Sequence, residues 1–308
     1  MVDLSVDLRF LKLKNPVLSA SGTFGYGLEF EPFIDLNRLG GIVVKGLFPN
    51  PHQGNPPPRL AETTAGLLNS VGLQGVGMKK FSEDILPRLS CYKTAIIVNV
   101  CGEEEDEYAA VVEYLGSKEG ISAFELNISC PNLKKEGRCP ALDPEETYSV
   151  VSRAREVSRL PLITKLSPNV GNIEEIAIAA QEAGSDGISL VNTFLAMAVD
   201  VEKRKPRLAN VLGGLSGPAI KPIALRMVYQ VTQKVNIPVI GIGGITSAED
   251  ALEFLIVGAK AVEVGTWNLV DPEATINIID GLESYCEEKK IARIEDIIGT
   301  LETEQAEC

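Results

Sequence analysis

Short apolar runs rich in valine and isoleucine recur along the whole chain, separated by segments with the pattern of helices. A strand buried on both faces has no polar side, so it reads as a continuous apolar run, as in a parallel sheet covered by helices. The chain contains eight such runs: Asn15–Ala20, Gly41–Lys45, Ala95–Asn99, Phe124–Ile128, Leu162–Leu166, Gly187–Val191, Val239–Ile242 and Ala261–Val264. Eight strands alternating with helices predict an α/β fold, the (β/α)8 or TIM barrel, with a doubly wound open sheet as the alternative.

Helix-capping signals support this alternation. A good N-cap residue followed by acidic residues, or by proline at the first helical position, marks the start of a helix, and glycine often follows its end. These signals predict four helices: Asp143–Ser158, Asn172–Ala183, Pro218–Val235 (preceded by a glycine-rich turn) and Ser247–Val257.

Two intervals, Leu47–Thr94 and Thr193–Val235, are too long for a single helix. In a barrel such extensions follow strands at the C-terminal face, where they form pocket walls or lids. No Ser/Gly-rich or charged linker divides the chain, so residues 1–308 are expected to form a single domain.

The charge balance excludes some partners. The formal net charge of −13 repels a phosphate backbone, which argues against a nucleic-acid partner but not against a nucleotide cofactor in a local pocket.

The six cysteines show no CxxC spacing, and no cluster of histidines or carboxylates indicates a metal site. The acidic N-terminus does not resemble a signal peptide, and no apolar stretch approaches a membrane span, so a reduced, cytoplasmic protein without membrane attachment is expected.

Polar residues cluster where the eight predicted strands end. In a barrel these ends converge on one mouth. They carry Ser21, Lys45-Gly46, Asn99, Asn127 with Cys130, Lys165, Asn192-Thr193, Gly243-Gly244 and Gly265-Thr266. A lone cysteine is more often an inert buried residue, and a lone lysine can reach the surface. Two lysines in apolar strands, in register with three asparagines, favour a ligand site, because a buried lysine needs an anion or acceptor.

The glycines at the last two strand ends indicate a phosphate site. Glycine lets a phosphate approach backbone N–H groups closely, and barrels often bind phosphate after strands seven and eight. Together with the lysines, amides and cysteine, this predicts a phosphorylated cofactor beside a small polar substrate. A phosphate-binding isomerase or lyase without redox chemistry would keep the same glycines and remains an alternative at this stage, whereas a non-catalytic binding module is the least favoured.

Over nearly its whole length the chain resembles the FMN-dependent dihydroorotate dehydrogenases of pyrimidine biosynthesis. The motifs that carry this resemblance are SASGTFGYG (Ser19–Gly27), KG (Lys45-Gly46), GNPPPRL (Gly54–Leu60), NSVGLQG (Asn69–Gly75), ELNISCPN (Glu125–Asn132), KLSPN (Lys165–Asn169), VNT (Val191–Thr193), GGLSGPAIKP (Gly213–Pro222), GIGGI (Gly241–Ile245) and VGT (Val264–Thr266). The resemblance implies a barrel that holds one FMN at its mouth and oxidises dihydroorotate to orotate.

The resemblance also implies residue roles. Positions matching flavin contacts are Ser21, Lys45, Gly46, Asn99, Asn127, Lys165, Val191, Gly217, Gly243, Gly244, Gly265 and Thr266. Positions matching substrate contacts are Lys45, Asn69, Ser70, Val71, Gly72, Leu73, Asn127, Asn132, Asn192 and Thr193. Cys130 matches the base that removes the C5 proton while hydride passes from C6 to flavin N5, as in the soluble class 1 enzymes.

Within class 1 the GTFGYG and NVLGGLSGPAIKP segments resemble the class 1B catalytic subunit. That type implies a homodimer within a heterotetramer, whose partner subunit carries FAD and a [2Fe–2S] cluster and passes electrons to NAD. The loop Leu133–Leu142, which includes Cys139, departs from the family pattern. A class 1A homodimer that uses fumarate is the first alternative, and another FMN barrel, such as a tRNA dihydrouridine synthase, is the second.

Overall fold

The protein forms a closed barrel of eight parallel strands in a computed structural model that describes residues 2–129 and 140–303. The strands are β1 (Val17–Ser19), β2 (Gly41–Leu47), β3 (Ala95–Val100), β4 (Ala123–Asn127), β5 (Leu162–Lys165), β6 (Gly187–Leu190), β7 (Val239–Ile242) and β8 (Ala261–Val264). Each pairs with its neighbours in chain order, and β8 closes on β1 with Glu263 in register with Leu18. The barrel prediction is confirmed, and the open sheet was wrong.

Helices surround the barrel after every strand but the first. They are Met78–Lys80 continued by the π-helical Phe81–Ile85 and by Leu86–Leu89, then Glu105–Gly116, Pro144–Val157, Ile173–Glu182, Lys221–Thr232, Ala248–Ile256 and Ala274–Lys289. After β1 the described chain has two 3₁₀ turns, Leu28–Phe30 and Leu36–Arg38, in place of an α-helix. Further 3₁₀ turns are Pro140–Leu142, Pro218–Ile220, Thr266–Leu269 and Ile294–Ile297.

The capping predictions agree with the structure. Asp143 accepts hydrogen bonds from the backbone N–H groups of Glu145 and Glu146, and Asn172 accepts one from Glu174. Ser247 and Asp250 form a reciprocal capping box. These side chains satisfy N–H groups that have no partner within the helix, so local sequence determines where the helices begin.

The two long intervals meet in one antiparallel sheet outside the barrel. Its strand order is Phe194–Ala196, Gly213–Ser216, Gly66–Asn69 and Leu60–Thr63. The extra structure was predicted, but the turn predicted before Pro218 was wrong in part, because Gly213–Ser216 is a strand paired on both sides. Short hairpins join Val6–Asp7 to Lys12–Leu13 and Val199–Asp200 to Lys205–Pro206.

The core is a continuous apolar layer between the barrel strands and the helices around them. Buried valine, isoleucine and leucine side chains from every strand face helical residues such as Phe254, Leu255 and Leu282. Among residues 2–129 and 140–303, no helix combines the length and apolar character that crossing a bilayer requires.

Close packing between β7 and its helix gives a test of the core. An added Cβ at Gly241 would lie 2.5 Å from Cδ1 of the fully buried Phe254. We expect Gly241→Ala to lower the free energy of unfolding by about 1–3 kcal/mol, because the ring has no free space to move into. Urea denaturation measures this.

The matched control is Gly171→Ala, since a Cβ there meets nothing within 4 Å. Its free energy of unfolding should change by less than about 0.5 kcal/mol. Equal effects of the two substitutions would contradict the tight β7–helix packing.

Candidate functional site

A cavity of about 330 Å³ opens at the C-terminal ends of the barrel strands. Its floor is formed by the strand ends, and the added antiparallel sheet supplies one wall through Leu60, Leu67, Asn69, Gly214 and Ser216. Its size lies within the range of small-molecule sites. The two inserted intervals therefore help to build the mouth of the barrel.

Lys165, at the end of β5, is held at the cavity floor by buried acids. Its Nζ atom lies 3.2 Å from Oε1 of Glu125 and 3.1 Å from Oε2 of Glu263. A third neighbour, Ser21 Oγ, is 3.3 Å away. Lys165 and Ser21 line the cavity, while the two acids, 0% and 1% exposed, lie behind them in the barrel interior.

Glu125 has the richer set of donors. Its Oε1 accepts a 2.6 Å hydrogen bond from Nδ2 of Asn99, and its Oε2 accepts a 2.8 Å bond from Oγ of Ser189. Strand register explains the grouping, because Asn99 pairs with Glu125 across β3–β4 and Ser189 pairs with Lys165 across β5–β6. Side chains in register on neighbouring strands point to the same side of the sheet, here into the barrel.

The cluster shifts the pKa of each of its ionisable members. Burial would lower the pKa of Lys165, but the charges of Glu125 and Glu263 outweigh burial and raise it. Burial would raise the pKa of Glu125, but the Lys165 charge and hydrogen bonds from Glu263, Ser189 and Asn99 lower it. For Glu263, burial and then the nearby Glu125 charge raise the pKa well above its usual value. Lys165 and Glu125 are therefore the charged pair.

A row of amides continues from this cluster along the mouth. Asn127 donates from Nδ2 to Oδ1 of Asn99 at 3.3 Å, and its own Oδ1 accepts from Ser129 Oγ at 2.9 Å. Asn192 donates to Ser129 Oγ at 2.5 Å. The backbone carbonyl of Asn127 accepts from the hydroxyl of buried Tyr108 at 3.0 Å. These bonds fix the amide orientations before any ligand binds.

Lys45 is the second lysine of the cavity, and its surroundings differ. It is half-buried, and burial followed by the charge of Arg59 lowers its pKa, with Glu29 opposing. Its ammonium makes no ion pair or hydrogen bond with the part of the chain that the structure describes. It is therefore available to an anionic or acceptor group of a ligand.

Glycines form the wall at the ends of β7 and β8. Gly243 and Gly244 have positive φ angles of 136° and 71°, which glycine adopts without steric cost. A Cβ at Gly244 would lie 2.8 Å from the backbone oxygen of Gly217. The N-terminus of helix Ala248–Ile256 is already occupied by its own Asp250 carboxylate. Backbone N–H groups near the glycines thus remain the best place for a phosphate, which stays a prediction.

The predicted residues fall largely around this one cavity. Every predicted cofactor position lines it: Ser21, Lys45, Gly46, Asn99, Asn127, Lys165, Val191, Gly217, Gly243, Gly244, Gly265 and Thr266. Most predicted substrate positions also line it: Lys45, Asn69, Val71, Gly72, Leu73, Asn127, Asn192 and Thr193. This placement leaves the roles themselves as predictions.

Ser70 is the exception among the described positions. Its side chain is buried and does not line the cavity. Its N–H donates to Arg59 O at 2.8 Å and its carbonyl accepts from Asn55 Nδ2 at 2.9 Å, which ties the residue to the neighbouring segment. The predicted Cys130 and Asn132, as well as Cys139, lie outside the described residues.

Sequence reasoning missed Glu125, Glu263 and Ser189. The signal was present, since each glutamate interrupts an apolar strand, as the two lysines do. The same argument that marked a buried lysine as needing an anion applies in reverse to a buried carboxylate. The two buried glutamates therefore indicate an internal ion cluster, but which lysine they contact depends on which strands meet.

Comparison with known proteins identifies the family of the chain. Residues 3–286 match the family model described as dihydroorotate dehydrogenase. A protein of Geotalea uraniireducens, named "Dihydroorotate dehydrogenase B (NAD(+)), catalytic subunit", is 52% identical over 98% of this chain and 99% of its own. A protein of the same name from Bacteroides thetaiotaomicron is 50% identical over 98% of this chain and 100% of its own. The crystal structure of the Eimeria tenella enzyme with ferulenol superposes with a TM-score of 0.79 at 23% identity, covering 97% of this chain and 88% of that one, which supports the fold.

The buried cluster provides a stability test. We expect Lys165→Met to lower the free energy of unfolding at neutral pH by about 3–5 kcal/mol, because it leaves the Glu125 charge uncompensated. In the variant, the buried carboxyls have no cation beside them, so their pKa in the folded state is higher than in the unfolded state. Protonation at lower pH therefore stabilises the folded variant, and the loss of unfolding free energy should shrink as pH falls toward about 5. Urea denaturation at the two pH values measures it.

Lys203→Met is the matched control, since Lys203 forms an exposed pair with Asp200 at 3.0 Å. An exposed pair contributes at most about 1 kcal/mol. A loss at Lys165 as small as that at Lys203 would show that the cluster does not depend on its lysine.

Proposed function

The chain belongs to the dihydroorotate dehydrogenase family, and we propose that it oxidises dihydroorotate to orotate with FMN in pyrimidine biosynthesis. The observation that carries the proposal is the two-sided cavity. Glycine backbone at the ends of β7 and β8 forms one side, and Lys45, Asn127 and Asn192 form another. A cofactor phosphate and a small polar substrate need these different surfaces. We further propose one such site per chain, in a single domain spanning residues 1–308.

The residues present fit FMN. The cradle at Gly243, Gly244 and Gly217 has no room for side chains, as the close approach of an added Cβ to backbone and side-chain atoms shows. Gly46 is similar, since a Cβ there would lie 2.6 Å from Sγ of Cys101. We propose that the glycines and Thr266 hold the phosphate, and that Lys165, Ser21, Asn99 and Asn127 hold the flavin ring system. When bound, FMN accepts the hydride that leaves C6 of the substrate.

The substrate side of the cavity supplies charge and hydrogen bonds. Lys45 is placed to meet the dihydroorotate carboxylate, because its ammonium has no ion pair with a described residue and Arg59 adds to the positive potential. Asn69, Asn127 and Asn192 offer donors and acceptors for the edges of the pyrimidine ring. Their orientation by hydrogen bonds within the protein lowers the entropy cost of aligning the substrate.

The proton at C5 needs a base. We propose Cys130, which follows the buried Ser129 in sequence and lies outside the described residues. A thiolate is an effective base when its surroundings favour ionisation. Ser129 itself is held beside the amides of the cavity, because its hydroxyl is hydrogen-bonded to both Asn127 and Asn192.

We propose that NAD is the final electron acceptor and that it is reached through a second subunit. Relatives at 50–52% identity over nearly the full chain are named catalytic subunits of an NAD-linked enzyme. The proposed assembly is a homodimer of this chain with two partner subunits that carry FAD and a [2Fe–2S] cluster, located in the cytoplasm. The class 1A type with fumarate as acceptor is the alternative that the experiment must separate. The family match favours dihydroorotate over the dihydrouridine of tRNA.

Flavin colour and its bleaching test the activity. We expect purified protein, or protein reconstituted with FMN, to show flavin absorption that dihydroorotate abolishes without oxygen. The control is orotate, the product, which should leave the absorption unchanged. Protein that retains no FMN, or flavin that dihydroorotate does not reduce, would sink the proposal. Adding fumarate or NAD to the reduced protein, with and without its co-purified partner, then identifies the acceptor.

A cysteine substitution tests the base. We expect Cys130→Ala to bind orotate but to reduce flavin more slowly by a factor on the order of 10²–10⁴, the usual contribution of a general base. Stopped-flow absorbance at the flavin band measures the rate. Cys91→Ala is the control, since Cys91 is exposed and does not line the cavity. Equal rates for the two variants would remove Cys130 from this role.

A further inference from the structure

Two buried carboxyl groups flank the same lysine inside the barrel, behind the cavity floor. Nζ of Lys165 lies 3.2 Å from Oε1 of Glu125 and 3.1 Å from Oε2 of Glu263. One ammonium balances one carboxylate, so the second carboxyl leaves no net charge only if it carries a proton. Both groups are fully buried, so solvent does not screen the repulsion that two negative charges would experience.

The donors around the pair show which carboxyl carries the charge. Glu125 accepts from Asn99 at 2.6 Å, Ser189 at 2.8 Å and Lys165 at 3.2 Å. Glu263 accepts from Lys165 at 3.1 Å, its single charged donor in the described part of the chain. Three donors stabilise a carboxylate at Glu125. The proton therefore belongs on Glu263.

No other ionisable group in the barrel wall faces this pair. Among the eight barrel strands, the ionisable residues are Lys45, Glu125, Lys165 and Glu263. The strands flanking β8, which are β1 and β7, have none. The charged groups that act on Glu263 are Glu125 and Lys165. With one proton the three side chains sum to zero charge, and without it they would sum to −1.

We propose that Glu263 is a positioning residue that stays protonated at neutral pH and so preserves the positive field of Lys165 at the cavity floor. Lys165 lines the cavity and the acids lie behind it, so the charged pair presents its positive end to the cavity. An electron-accepting cofactor gains negative charge on reduction, and a positive group beside it favours that state. A second carboxylate 3.1 Å from Lys165 would cancel this effect.

The proposal rests on the proposed binding of FMN for its consequence, but the proton on Glu263 can be tested without the cofactor. Glu263→Gln is the informative variant, because a glutamine amide is uncharged like the protonated acid and its oxygen can accept from Lys165. The infrared difference spectrum between cofactor-free parent and Glu263→Gln at neutral pH should show the loss of one neutral carboxyl band. The exposed Glu287→Gln is the matched control and should lose none.

The second measurement is the midpoint potential of bound FMN. At neutral pH Glu263→Gln should leave the ratio of reduced to oxidised flavin within about threefold of the parent value, because no charge has changed. If Glu263 were instead ionised in the parent, Glu263→Gln would remove a negative charge and favour reduced flavin at least tenfold, which corresponds to about 30 mV for two electrons. As pH rises, Glu263 ionises in the parent alone, so the parent potential should fall below that of Glu263→Gln.

Three results would overturn the proposal. The first is a Glu263→Gln spectrum that loses no neutral carboxyl band. The second is a tenfold shift toward reduced flavin in Glu263→Gln at neutral pH, which would mean that the parent residue is ionised. The third is a failure of Glu263→Gln to fold, since the amide matches the neutral acid in size and charge and can still accept from Lys165. Failure of the parent to bind FMN would instead refute the proposed function, and the infrared result would still decide whether Glu263 carries a proton.

Discussion

The burial of Lys165 between two acids is the interaction on which the site depends. A lone ammonium in a closed barrel would lose its hydration without compensation, and its pKa would fall. Glu125 supplies the opposite charge, and Asn99 and Ser189 hold that carboxylate in place. Because each of these groups has a partner, the cavity floor keeps a fixed positive group without ordering by a ligand.

Barrel closure and assembly of this cluster are the same event. Glu125 and Lys165 lie on adjacent strands, but Glu263 belongs to the last strand and reaches them across the barrel interior. The cluster is complete only when β8 has closed on β1, where Glu263 is in register with Leu18. A partly closed sheet would leave Lys165 and Glu125 accessible to water and without Glu263. The ion cluster therefore stabilises the closed barrel relative to a partly closed sheet.

Sequence predicted the parts of the fold that local patterns determine. Continuous apolar runs marked all eight barrel strands, and capping side chains marked helix starts such as Asn172 and Ser247. The added sheet was not predicted in detail, because Gly66–Asn69 pairs with Gly213–Ser216 far along the chain, and glycine-rich strands carry no side-chain alternation. The lysines of the site were found by the cost of burying them in apolar strands, whereas the pairing of Lys165 with its two glutamates required knowledge of which strands meet. Ser70 does not line the cavity, because a motif shared along a loop does not show which side chain turns inward, and its role stays a prediction.

The two lysines of the cavity differ because one is neutralised by the protein and the other is not. Lys165 is balanced by Glu125, so it contributes a local field but no net charge. Lys45 has no ion pair with a described residue, and burial, followed by the charge of Arg59, lowers its pKa. A small anion is therefore attracted to Lys45 rather than to Lys165, while a phosphate can be bound by the backbone at Gly243 and Gly244. Lys45, the glycine backbone and Lys165 can thus place a small anion, a phosphate and an electron-accepting ring by three separate means. The proton on Glu263 preserves the positive field of Lys165.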